Sequence, residues 1–401
     1  MKYIYFDNSA TTKPSSEAVS AMTDAMTELF GNPSSLHTLG TKAAELLLAS
    51  RNELLCALWG TSIKAKLPRR PGMIGGEEYG QLFFTSSGTE SNNLAILGAV
   101  KASKIKNPEI IVSDSEHPAV LNTVASLEKS GVIVHLLKTV GGVIDVSELK
   151  SVLSSNTTLV SVMYVNNETG AVYDIKEIFA TVKAFSKDII CHTDCVQAFQ
   201  KLPFTPKTLG ADMITVSAHK VHGPKGVGAL WVSADIIKKR RILPIIFGGG
   251  QEMGIRSGTE NMPGIAAFAA AVKANGSDKA AYSFIKRVAP LRELLLQNLP
   301  SCCTVNAPLG VTAPHIISIA THLPKSQPIL NYLSALGFYV SSGSACSSHK
   351  NTVSPTLSAF GLSNATADGT IRVSLDSSNT SEEILAFCEV LGAGIQKLSK
   401  K

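Results

Sequence analysis

The chain lacks any apolar run near the ~18 residues that a membrane-spanning helix requires, so no membrane association is expected. It also lacks a basic stripe interleaved with aromatics. The formal net charge of +6, from 37 basic and 31 acidic residues, is therefore spread too thinly for a nucleic-acid footprint. There is no basic leader or signal-peptide core ahead of Tyr3-Ile4-Tyr5-Phe6, which sets the expectation of a cytoplasmic, reducing environment. The seven cysteines are odd in number and unevenly spaced, which argues against a disulfide framework. Cys191-His192-Thr193-Asp194-Cys195 has no second cysteine pair at finger or ribbon distance. Strand alternation would also face Cys191 away from Asp194, so no metal is expected there. What remains is a chain of 401 residues, 44% apolar and 17% charged. Those are ordinary values for a globular enzyme long enough for two domains.

The chemistry gathers at Ser217-Ala218-His219-Lys220, ahead of the turn Val221-His222-Gly223-Pro224-Lys225-Gly226. The preceding run Asp212-Met213-Ile214-Thr215-Val216 is apolar and β-branched and predicts a buried strand. Lys220 thus sits at a strand end, where a scaffold can aim it. It reads either as a solvated loop lysine or as an amine that attacks the aldehyde of pyridoxal 5'-phosphate (PLP).

Along the chain, helices are predicted from Glu17 toward Phe30, capped by Ser15 or Ser16, and from Leu39 to Leu58. Residues 62–80 carry Lys64, Lys66, Arg69 and Arg70 among prolines and glycines and read as an inserted, exposed loop. A strand at Gln81-Leu82-Phe83-Phe84 leads into Thr85-Ser86-Ser87-Gly88-Thr89, which opens a helix. Gly88 and Thr89 there serve either as plain capping residues or as a phosphate cradle. Strands near 110–113, 132–137, 158–163, 189–193, 212–217 and 228–232 alternate with helices near 118–130, 147–153 and 174–186. This rhythm predicts an α/β fold with a mostly parallel seven-stranded sheet, and ligands at its carboxyl strand ends. Those ends carry Glu116-His117, Asn166-Asn167-Glu168 and Asp194-Cys195-Val196-Gln197. A carboxylate such as Asp194 suits a pyridine nitrogen, an amide such as Gln197 suits a ring hydroxyl, and an imidazole such as His117 suits ring stacking or proton transfer.

A glycine-rich loop from Phe247 to Asn261 ends the large domain, predicted over 15–262. Long helices at 262–274 and 277–298 then open a smaller α+β domain formed by 1–14 and 263–401. Its run Val340-Ser341-Ser342-Gly343-Ser344-Ala345-Cys346 contains only small residues and predicts a mobile loop with a reactive thiol. Arg372 is a candidate carboxylate clamp.

Taken together these motifs resemble the cysteine desulfurases of the NifS/IscS type, in the class V aminotransferase group of fold-type I PLP enzymes. The match runs through Asp7-Asn8-Ser9-Ala10-Thr11-Thr12, Phe30-Gly31-Asn32-Pro33, Thr89-Glu90-Ser91-Asn92-Asn93, Glu116-His117 and Asn166-Asn167-Glu168-Thr169-Gly170. It continues through Asp194-x-x-Gln197, His219-Lys220, Arg256-Ser257-Gly258-Thr259 and Ser342-Gly343-Ser344-Ala345-Cys346. The resemblance implies that Lys220 carries PLP and moves the Cα proton, while Asp194, Gln197 and His117 address the ring. It implies that Gly88, Thr89, Ser217 and His219 hold the phosphate, with Thr259 reaching in from the other subunit of a homodimer. Asn167, also beside the cofactor, and Arg372 would hold the carboxylate of L-cysteine. Cys346 would take the sulfur as a persulfide, releasing L-alanine, and pass it to an iron–sulfur scaffold or another acceptor. A selenocysteine lyase or cysteine β-lyase would use the same PLP site with less need of Cys346. A zinc protein built on Cys191, His192 and Cys195 would bind no PLP. The 62–80 loop looks longer than in familiar relatives. The ending at Leu398-Ser399-Lys400-Lys401, without an extended tail, leaves the acceptor open.

Overall fold

Eight short apolar segments supply the first strands: β1 (Ile4–Tyr5), β2 (Gln81–Thr85), β3 (Glu109–Ser113), β4 (Ile133–Leu137), β5 (Thr157–Ser161), β6 (Ile190–Asp194), β7 (Met213–Ser217) and β8 (Gly228–Val232). The computed structural model describes residues 3–60, 79–343 and 354–399. The predicted 62–80 loop, apart from its last two residues, therefore lies outside the described residues, as does Cys346.

Seven of these strands form one sheet in the order β2-β8-β7-β6-β5-β3-β4. Strands β3 to β7 run parallel, and β8 lies antiparallel between β7 and β2. Every residue of β2, β3, β5, β6, β7 and β8 is buried, as expected of a sheet covered on both faces. Alternate side chains feed two cores. Ile111, Val160, Cys191 and Ile214 enter one, and Ile110, Leu159, Ile190 and Met213 enter the other.

Helix α1 (Ser16–Thr27) is capped by Ser15, whose hydroxyl accepts from Ala18 N, and stops before the predicted Phe30. Helix α2 (Thr38–Trp59) sends Leu54, Leu55 and Leu58 into the first core. Helices α3 (Gly88–Ala102) and α4 (Pro118–Glu128) cover the opposite face through Leu94, Ile96, Val120 and Val124.

The smaller C-terminal unit is α+β. Its strands are β9 (Thr304–Val305), β10 (Ile316–Ala320), β11 (Phe338–Tyr339), β12 (Ser341–Ser342) and β13 (Thr370–Ser374). An antiparallel sheet has the order β12-β13-β10-β9, and β1 pairs with β11 in parallel. Phe6 packs edge-on to Phe387 at 5.4 Å, which pins the chain's start into the core of this smaller unit. Two expectations shift here. The long helix predicted from residue 277 begins at Ala280 after a short 3-10 turn, because Gly276 takes a left-handed φ of 101°. Ser341 and Ser342, expected in a loop, pair as strand β12 with Arg372 and Ile371.

Candidate active site

The carboxyl ends of β3, β5, β6 and β7 open on one side of the sheet, where a cavity of about 280 Å³ lies beneath the amino end of α3. Ten of the residues singled out in the sequence line it: Gly88, Thr89, His117, Asn167, Asp194, Gln197, Ser217, His219, Lys220 and Arg372. Thr259 is exposed and is not part of this lining, and Cys346 falls outside the described residues. The expected cluster is thus assembled by a single chain, apart from those two.

Lys220 ends the 3-10 turn Ala218–Lys220 that follows β7. Its Nζ donates to the carbonyls of Ser9 (2.6 Å) and Ala10 (2.7 Å). Burial, reinforced by the positive charges of Arg372 and Lys201, lowers its pKa to about 7. The amine is therefore available in its neutral, nucleophilic form near neutral pH.

Asp194 ends β6. Its Oδ1 accepts from Val196 N (2.9 Å) and its Oδ2 from Asn92 Nδ2 (2.7 Å), so α3 and the strand end both orient the carboxylate. Gln197 donates through Nε2 to Ser9 O at 2.9 Å, and its Oε1 is left buried without a partner. Ser217 Oγ is likewise buried and unpartnered. Both residues line the cavity, so these atoms are free to bond a ligand there.

The amino end of α3 faces these groups. Ser87 caps it by accepting from Glu90 N, which leaves the first-turn N–H groups at Gly88 and Thr89 aimed outward. Gly228 allows this approach, since a Cβ there would stand 2.6 Å from Ser87 C.

His117 serves as the N-cap of α4, its Nδ1 accepting from Ala119 N at 3.1 Å. The ring proton of the neutral form therefore resides on Nε2, and burial pushes the pKa down. His219 reaches Thr11 Oγ1 through Nδ1 at 3.2 Å. Its pKa falls to about 3 through burial and the neighbouring Lys220 charge, so it works as a neutral ring.

Arg372, on β13, is only 2% exposed. Its Nη2 meets Asp7 Oδ1 at 2.8 Å and its Nη1 donates to Asn167 O at 2.9 Å. Nε has no partner. Asn167 therefore touches the guanidinium with its backbone carbonyl.

The residues of the zinc reading are otherwise engaged. Cys191 lies in the core, and both ring nitrogens of His192 meet hydroxyls, Ser161 at 2.8 Å and Thr215 at 3.0 Å. Among the described residues no cluster of His, Cys, Asp and Glu has metal-holding geometry.

Sequence reasoning assigns no role to Asn92, Asp7, Glu168 or the carbonyls of Ser9 and Ala10. Their side chains signal nothing alone, because each acts through a partner distant in the chain.

A buried lysine, a carboxylate and a helix amino end at the switch from strand to helix define a class of enzyme. The chain belongs to the class-V aminotransferase family, whose model matches residues 69–387. Within it the chain groups with the cysteine desulfurases, which are PLP enzymes. A cysteine desulfurase from Trichormus azollae is 38% identical, with 99% of this chain and 94% of the relative covered. The cysteine desulfurase IscS of Methanosarcina thermophila is 35% identical, covering 99% and 93%. The solved structure of a NifS-like protein superposes with a TM-score of 0.86 at 31% identity, covering 99% of this chain and all of that one, 100%.

Proposed function

We propose that the cavity holds PLP on Lys220 and that the enzyme converts L-cysteine to L-alanine with transient storage of sulfur on Cys346. The observation that carries this is the Lys220 amine, buried and shifted to about 7, set in one cavity with Asp194 and the orphaned Ser217 Oγ. Those groups fit the cofactor. Ser217, His219 and the first-turn amides of Gly88 and Thr89 suit its phosphate, Asp194 its ring nitrogen, and Gln197 Oε1 its ring hydroxyl as acceptor. His117 suits the ring face. Bound there, PLP supplies an aldehyde for amines and a ring that accepts the electrons released when a Cα proton leaves.

Lys220, whose amine lines the cavity, would take and return that proton. Arg372 binds the substrate carboxylate through the edge that includes its free Nε, with Asn167 beside it. Cys346 attacks the substrate sulfur as thiolate. The carbon–sulfur bond breaks, a sulfur–sulfur bond forms, and the carbon side leaves as alanine after protonation. Thr259, exposed in one chain, is assigned to the cavity of a second copy, which makes the enzyme a homodimer with shared sites. The persulfide passes to an iron–sulfur scaffold or another thiol acceptor. A cytoplasmic location suits this exchange. Among the described residues no helix is long and apolar enough to cross a membrane.

The test is single-turnover mass spectrometry after addition of L-cysteine. The peptide containing Cys346 gains one sulfur atom in the wild type and none in Cys346→Ser, which keeps cofactor absorbance but makes no alanine. Wild-type alanine production by Cys346→Ser overturns the assignment in favour of a lyase.

A further inference from the structure

A second cavity, of about 220 Å³, adjoins the active one and shares a single lining residue with it, Lys220. It has room for a small molecule and not merely for one water. Lys201 and Arg287 line it together with His222, Ser283 and Asp376. Lys201 is 4% exposed, and its Nζ is buried without a hydrogen-bond partner.

An ammonium group buried in this way is costly unless something negative answers it. The one carboxylate in the lining is already engaged. Asp376 Oδ1 lies 3.1 Å from His222 Nε2, and its Oδ2 accepts from Ser378 N at 3.1 Å and from Ser378 Oγ at 2.8 Å. His315 feels the Lys201 charge but, wholly buried itself, is held neutral. Burial lowers the Lys201 pKa to about 8, which leaves the amine mostly charged at neutral pH. The lining therefore sets Lys201 and the exposed Arg287 against an aspartate that His222 already satisfies.

The wall beside Lys201 is held in place. Gln200 donates through Nε2 to Val272 O at 2.9 Å and accepts at Oε1 from Asn275 Nδ2 at 2.8 Å, which also donates to Val221 O at 3.1 Å. Gln200 and His222 both take left-handed φ values, 59° and 65°, which residues other than glycine keep only where their surroundings hold them. A fixed cationic crevice with an unanswered buried amine has the chemistry of an oxyanion site.

We propose that this crevice is a second binding site, for a small oxyanion held by Lys201 and Arg287 next to Lys220. Its occupant is a phosphate-like ion or a small carboxylate, the two sources of that charge.

The experiment titrates holoenzyme with inorganic phosphate and, separately, with malonate, by calorimetry, and follows thermal melts alongside. Holoenzyme is used so that the cradle at Gly88 and Thr89 is filled by the cofactor's own phosphate. Wild type is expected to bind one equivalent of at least one probe, and its melting temperature to rise with that probe's concentration. Lys201→Met is expected to weaken binding by at least about thirtyfold, as loss of a buried charged partner does. Without added anion it should melt at or above wild type, because an unanswered buried charge is gone. Arg287→Glu, at an exposed position that leaves folding intact, is expected to weaken binding about tenfold. Ser217→Ala, in the cofactor cradle, is expected to leave binding unchanged. Tighter binding of phosphate marks a phosphate-like ligand and tighter binding of malonate a carboxylate, and either supports the site. Equal affinity in wild type and Lys201→Met, loss of binding in Ser217→Ala, or no saturable binding of either probe by wild type overturns the proposal.

Discussion

At Lys220 the energetics favour capture of an aldehyde under mild conditions. An ordinary lysine is almost wholly protonated at neutral pH, whereas this one, at about 7, is substantially neutral. The sign follows directly: the neutral fraction rises as pH increases through about 7. The rate at which apoprotein captures PLP, followed by absorbance, is expected to climb between about pH 6 and 8 and then level off. A capture rate that keeps rising to pH 10 would mean that burial does not depress the amine. Lys220, Asp194 and Gln197 were legible in the sequence because strand ends at a sheet's carboxyl edge aim side chains at a common crevice. The carbonyls of Ser9 and Ala10 were not legible. Their contact with Lys220 spans about two hundred residues, and no local pattern encodes an approach of that kind. Asn92 was hidden for a related reason, since an asparagine early in a helix reads as capping, not as a bracket for Asp194.

Among the elements, the junction of β8 with the start of α3 is the most constrained. A Cβ on Gly228 would press on Ser87 C at 2.6 Å and Gly88 N at 2.9 Å, both backbone atoms that cannot rotate aside. Gly228→Ala is expected to tilt the first turn of α3 out of place and cost about 1–3 kcal/mol of stability, the range of overpacked interiors. Faster PLP loss on dilution, with slower urea-midpoint recovery on adding cofactor, is the measurement. Unchanged cofactor retention would show that the amino end of α3 does not hold the phosphate. The strand and helix positions themselves were largely readable, because apolar runs bounded by glycine, proline and polar clusters fix them within a few residues. The direction of β8 was not, since an apolar strand buried on both faces looks the same whichever way it runs. Strand β12 was missed because serines carry little β-signal, and its pairing is imposed by β13 opposite.

In the molecule as a whole, His222 and Asp376 join the turn that follows β7 to the segment that follows β13. Nε2 of His222 lies 3.1 Å from Asp376 Oδ1, and Nδ1 donates to Lys13 O at 3.0 Å. Asp376 holds His222 protonated more readily than usual, and His222 together with Ser378 draws the Asp376 carboxyl well below its ordinary range. The aspartate's contribution to stability is present above its unfolded pKa near 4 and is lost as pH falls through its depressed folded value. The histidine's contribution is complete below about 6.5 and is lost as pH rises through its raised folded value. Asp376→Asn is expected to lower stability by about 2 kcal/mol near pH 5.5, the scale of a charge-assisted hydrogen bond. The loss should shrink toward pH 9, as thermal melts across that range would show. An equal loss at both pH values would assign the effect to packing.

The first residues of the chain also impose a timetable. Ser9 N donates to Ser374 Oγ at 2.9 Å, Asp7 meets Arg372, and the carbonyls of Ser9 and Ala10 hold Lys220. During synthesis the opening segment therefore meets its partners in two stages, Gln197 and Lys220 about halfway along the chain and Arg372 and Ser374 near its end. The sheet of the large unit can form as its strands emerge, and Arg372 joins the cavity around Lys220 only when β13 arrives. The cavity is thus completed by β13, the last described strand in the chain.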